Sequence, residues 1–119
     1  MGDVNVASVK FGNPPSWSVA NETDQFLVPN SGLTKLYVQN DSDDYVTVTV
    51  KETRNCNFGH TNVDFVQQVP GNGTRTELGT FRRDRYNRPD GKLEVTFAIP
   101  GAGNVNVAGV YEVREDGRY

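Results

Sequence analysis

The chain has 119 residues, 35% of them hydrophobic, and a formal net charge of -3. That length suits one domain and is short for two separate cores. Acids outnumber bases 7 to 4 from Met1 to Gly59 and match them 8 to 8 from His60 to Tyr119, so neither half carries the basic footprint of a general nucleic-acid binder. A single cysteine, Cys56, excludes an intrachain disulfide framework. No apolar run is long enough for a membrane-spanning helix. Residues Met1 to Lys10 lack the charged start and apolar stretch of a signal peptide, so none is expected.

Val4, Val6, Val9 and Phe11 suggest extended structure, interrupted by Pro14-Pro15, with Trp17 among small and polar residues. Residues 1–24 therefore read either as an arm lying on a neighbouring molecule or as an edge strand. Residues 25–119 read as one β-sandwich domain. Leu33 to Gln39 is a strand with Leu36 and Val38 inward, and Tyr45 to Lys51 a second, where Val46, Val48 and Val50 alternate with polar residues. The turn formers Asn40 to Asp44 between them predict an antiparallel hairpin.

A second hairpin is predicted from Val63–Val69 and Thr74–Phe81 about the turn Pro70-Gly71-Asn72-Gly73. A third joins Lys92–Phe97 to the run Val105, Val107, Tyr111 and Val113, with Gly109 in phase where a neighbour could approach closely. Short strands at this spacing, each flanked by turn residues, predict an all-β fold: an antiparallel β-sandwich, immunoglobulin-like, or a small barrel. Three Asn-x-Ser/Thr triplets, at Asn21, Asn40 and Asn72, read as turn chemistry rather than glycan acceptors.

Few residue groups suggest chemistry. Cys56, His60 and Asp64 are spaced four apart, as metal ligands on a helix would be, but they fall on a loop and a strand, which favours coincidence. The same Cys56 and His60 do not form a recognisable nucleophile motif. Asp41, Asp43 and Asp44 lack the glycine and distal glutamate of a calcium loop and read as a solvated turn. No cofactor is expected, and no acid/base pair, metal cluster or nucleophile marks an enzyme. Arg82, Arg83, Arg85 and Arg88, interleaved with Phe81 and Tyr86, read either as a partner-contact patch or as a solvated loop neutralised by Asp84 and Asp90. Tyr86 also fits, loosely, a tyrosine corner that hydrogen-bonds back to the chain.

The order of motifs adds a further reading. Val28-Pro29-Asn30-Ser31-Gly32, Leu36-Tyr37-Val38-Gln39-Asn40 and Val46-Thr47-Val48-Thr49-Val50 come first. Val69-Pro70-Gly71, Glu77-Leu78-Gly79-Thr80-Phe81, Arg85-Tyr86-Asn87 and Asp90 to Phe97 follow, and then the valine-rich last strand. This order, from about Gln25 to Val113, resembles a family of small tailed-bacteriophage virion proteins. The resemblance implies a non-enzymatic head decoration (cement) protein, assembled in the bacterial cytoplasm into the virion. Its implied partner is the major capsid protein, bridged from outside, and a trimer at local three-fold positions is the expected homo-oligomer. Nucleic acid and membrane are not expected partners. The candidate contacts are Val4, Val6, Phe11 and Trp17 in the first segment and Arg82, Arg83, Arg85 and Arg88 in the loop. On that basis, deleting residues 1–24 is expected to abolish capsid binding and leave the sandwich folded. The alternatives are a neck or tail protein of the virion, and a carbohydrate-binding module presenting Trp17, Tyr37, Tyr45 and Tyr86. The polar loop Glu52 to Asn62 and the segment Met1 to Asp24 lie outside the resemblance.

Overall fold

In the computed structural model, residues 2–53 and 64–113 are described, and two packed sheets account for almost all their regular structure. The strands are β1 (Asp3–Asn5), β2 (Ser8–Lys10), β3 (Ser18–Val19), β4 (Gln25–Pro29), β5 (Thr34–Asn40) and β6 (Val46–Val50). They continue as β7 (Phe65–Val69), β8 (Thr74–Leu78), β9 (Lys92–Ala98) and β10 (Val105–Tyr111), with one helical turn, α1 (Arg83–Tyr86), before β9. The first sheet runs β1-β4-β9-β6-β7 and the second β2-β10-β5-β8, with β3 also on β10. The fold is an all-β sandwich.

The period-two residues fill its middle. Val46, Val48 and Val50 of β6 and Leu93 and Val95 of β9 are wholly buried against Leu36 and Val38 of β5 and Val107 of β10. Phe26 and Phe97 meet edge to face at 5.3 Å. Each such aliphatic side chain contributes about 1.5–3 kcal/mol through burial, which is why alternation decides which face of a strand turns inward.

The three predicted hairpins are corrected. β5 and β6 lie in different sheets, as do β7 and β8, and β9 and β10. Each turn therefore arches across the sandwich. Alternation fixes a strand's face but not its sheet, and a cluster of turn formers serves an arch as well as a hairpin. The three arches meet at one end and hold each other: Asp41 N donates to Asn104 O at 2.9 Å, Asp43 N to Ala102 O at 3.1 Å and Asn72 N to Ser42 O at 2.8 Å. Glycine at position 71 permits this approach, since a Cβ there would stand 2.5 Å from the Ser42 carbonyl oxygen.

Residues 2–24 form edge strands rather than a free arm. β1 runs parallel to β4 in the first sheet, and β2 runs parallel to β10 in the second. The expected antiparallel pairing thus gives way to parallel pairing at these two edges. Between them the chain steps from one sheet to the other, with Val6 N donating to Leu27 O and Gly109 N to Ala7 O. Val6 is 1% exposed at the crossing. β3 then returns antiparallel along β10, and Ala20 N donates to Val105 O. Removing residues 1–24 would thus strip both sheets of an edge and the core of Val6 and Ala20.

Candidate partner-contact surfaces

At the end opposite the arches, the arginine-rich loop is built around two amides. Asn30 Nδ2 donates to Phe81 O at 3.0 Å and to Asn87 Oδ1 at 2.7 Å, and Asn87 Nδ2 donates back to Asn30 O at 3.0 Å. Thr53 ties in from the segment that follows β6, its Oγ1 donating to Asn87 O at 2.6 Å. Beneath them Phe81 is buried, with Phe65 and Tyr86 edge-on to its ring at 5.2 and 5.5 Å. Tyr86 is thus held by ring packing, and its hydroxyl makes no hydrogen bond among the described residues, so the tyrosine-corner reading is corrected.

Three of the four loop arginines are engaged within the chain. Arg82 grips Asp84 with Nε at 3.1 Å and Nη2 at 2.7 Å. Arg85 donates Nε–H to the buried Glu52 carboxylate and lays its guanidinium over the Tyr86 ring at 5.3 Å. That hydrogen bond, more than the nearby charges, raises the Arg85 pKa above its ordinary value. Arg88 stands 3.6 Å from Asp90 and 3.9 Å from Glu94. Arg83 is exposed beside Gly32 and makes no ion pair among the described residues. The loop is therefore largely neutralised, and Arg83 and the rim of Arg82 are what it presents outward.

The N-terminal candidates divide in the same way. Val4 packs on the core and Val6 lies in it, so both are core residues rather than contact residues. Phe11 is 58% exposed and Trp17 38%, and neighbouring Val19 reaches 64%. Val19 sits opposite Asn106, an outward-phase position of β10. Outward positions of the second sheet also supply Tyr37, Ala108 and Val110, which cluster with Val9. An open groove of about 370 Å³ runs over this face, lined by Phe11, Pro14, Pro15, Tyr37, Arg75 and Val110. The Arg75 guanidinium lies over the Tyr37 ring at 5.4 Å. Burial, and then the Glu77 charge, push the Tyr37 hydroxyl pKa up.

Tyr37, Arg75 and the proline pair were not singled out together from the sequence. The available signal was Tyr37 itself, an aromatic ring on the outward phase between inward Leu36 and Val38. The four aromatics of the carbohydrate reading are not assembled into one platform. Tyr37 is buried, Tyr86 packs on Phe81, and Tyr45 stands at the start of β6 in the other sheet.

The acidic turn serves the arches. Asp43 Oδ1 accepts from Ala102 N at 2.9 Å, Asp44 Oδ1 from Tyr45 N at 2.7 Å, and Asp41 Oδ1 from Gln39 Nε2 at 3.1 Å. Asp64 accepts from Glu52 N at 3.0 Å, while Cys56 and His60 lie outside the described residues. Among the described residues no three His, Cys, Asp or Glu side chains are grouped to hold a metal. No family model, curated protein or solved structure matches this chain.

Proposed function

We propose that this chain is a non-enzymatic structural protein of a tailed-phage virion, a capsid decoration protein that binds the outside of the head and bridges major capsid subunits. The order of motifs from Gln25 to Val113, which resembles that family, supports the virion assignment. The observation that carries a contact role is the outer face of the second sheet, where Phe11, Trp17 and Val19 expose apolar surface beside the Tyr37 groove. Apolar residues grouped on one face favour a docking surface over scattered exposure. Arg83, which makes no ion pair among the described residues, adds a cationic point at the loop where an Arg fork suits a carboxylate.

Bridging works by linkage. Each copy that binds two capsid subunits and neither alone adds its binding free energy to the closed shell. Val19 lies in β3 and Phe11 N donates to Tyr111 O, so part of this face is held in place before binding and less ordering cost is taken from that free energy. The test is quantitative mass spectrometry of gradient-purified particles of the parent phage. A copy number close to that of the major capsid protein supports decoration. A handful of copies moves the protein to the neck or tail, and its absence from the particle overturns the virion reading.

A further inference from the structure

β8 closes one edge of the second sheet. It pairs with β5 on one side, and among the described residues no strand pairs with it on the other. Thr76 and Leu78 stand opposite Val38 and Leu36 and share their inward phase, which turns Arg75 and Glu77 to the outer face, both exposed. Such an edge offers its backbone donors and acceptors to another strand. Edges are guarded against pairing by Pro and by charged side chains, Lys above all, and β8 has neither Pro nor Lys. β8 carries one cation and one anion, two residues apart on one face.

That spacing is self-complementary. Laid antiparallel on a second copy with Thr76 opposite Thr76, the strand brings Arg75 opposite the other copy's Glu77, and the two-fold axis repeats the pair. Centred on Arg75 or on Glu77 instead, the strand would set like charges against each other. Opposite charges directly across an antiparallel pair stabilise it and like charges destabilise it, so the charges themselves select one register. Nothing on the rest of the strand opposes it: Thr74, Thr76 and Leu78 are uncharged. Arg75 has no carboxylate at ion-pair distance among the described residues and lies over the Tyr37 ring, while Glu77 faces the Tyr37 hydroxyl and stands 4.0 Å from Lys35. The neighbouring edge strand of the first sheet, β7, contains no charged residue, so a copy brought alongside meets no repulsion from it.

We propose that two copies of this chain associate by antiparallel pairing of β8 with β8, merging their second sheets across a two-fold axis. The interface is isologous, with the same patch used on both sides. It stands apart from the virion reading, since it concerns the purified chain alone, and it replaces the three-fold trimer as the elementary oligomer.

Sedimentation equilibrium of the full chain over a range of concentrations tests it. The wild type should sediment as a monomer–dimer equilibrium. Arg75→Glu and Glu77→Arg should each weaken dimerisation about ten-fold or more, because each sets two like-charged pairs across the axis. An equimolar mixture of the two variants should recover the dimer, since one copy then presents two acids to the other's two bases. The double exchange in one chain should recover it as well. Both side chains are exposed, and an unchanged circular dichroism spectrum shows that the variants fold. A wild type that stays monomeric overturns the proposal, whether this edge then takes a strand of another protein or none. So does a trimer, or a dimer indifferent to both single exchanges.

Discussion

Gly109 of β10 lies so close to Ser8 of β2 that a Cβ on it would stand 2.5 Å from the Ser8 Oγ and 2.7 Å from a Val28 methyl. The two residues are register partners at the point where the first strand changes sheets, and Ser8 Oγ donates to Pro29 O at 2.8 Å just beyond. Val28 is wholly buried and has no room to yield. Gly109→Ala should therefore destabilise the fold by about 1–3 kcal/mol, the usual cost of overpacking. Urea unfolding would show it as a lowered midpoint at an unchanged slope.

Val6 is the side chain that fastens this crossing to the core. Val6→Ala removes two buried carbon atoms and leaves a space among fixed neighbours, at an expected cost of about 2 kcal/mol. Deleting residues 1–24 should do more, leaving β4 and β10 with bare edges and no cooperative melt by circular dichroism. A truncated chain that melts like the parent would show that the segment is dispensable after all.

Much of this fold can be read in the residues, though not the sheet each strand joins. Leu36, Val38, Val46, Val48, Val50, Leu93, Val95 and Phe97 announce their inward phase by alternation. The glycine at 109, in phase with Val105 and Val107, announces a close neighbour. The N-terminal crossing also left a trace: Val4 and Val6 share one phase and Val9 and Phe11 the other. Val4 packs on the core and Val9 on the outer cluster, so that phase flip is the change of sheet. Three-residue strands are too short for periodicity to show this unaided. The contact surfaces were less legible still. Arg85 finds its partner in Glu52, 33 positions away, and no local spacing encodes that pairing.

Asn40 is the polar residue that the inward phase of β5 carries to the arch end. It is wholly buried, its Nδ2 donating to Asp44 O at 2.9 Å and Val69 O at 3.0 Å, while its Oδ1 accepts from Ser42 N and Oγ. Asn40→Ala leaves two carbonyl oxygens and the Ser42 donors without this partner, and should cost about 1–3 kcal/mol. Because Asn40 links two of the three arches, hydrogen exchange should quicken at Ser42 and Asn72 together, not at Ser42 alone.

Asp24 holds the chain start, accepting from Gly2 N at 3.0 Å and from Asn21 Nδ2 at 2.9 Å. The Asn21 bond first, and then that of Gly2, lower its pKa below the ordinary 3.8. A depressed carboxylate contributes stability above its unfolded pKa and loses it as pH falls through the lower folded value. The melting temperature of the wild type should therefore exceed that of Asp24→Ala at neutral pH. The gap should close as the pH is taken below 3.8, and a gap that stayed constant would mean the carboxylate charge plays no part.

Phe11 and Val19 separate stability from contact more cleanly than any loop arginine. Arg85 and Arg88 hold acids of their own chain, so replacing them disturbs the fold and any interface at once. Phe11 and Val19 are more than half exposed on the outer face of the second sheet, at 58% and 64%. Substitution of such surface positions usually changes stability by no more than about 0.5 kcal/mol. Phe11→Ser with Val19→Ser should thus melt close to the wild type, yet bind particles stripped of this protein at least about ten-fold more weakly if this face docks, as loss of central apolar contacts commonly does. Unchanged binding by the doubly substituted chain would turn attention to Arg82 and Arg83, the arginines that the loop leaves facing outward.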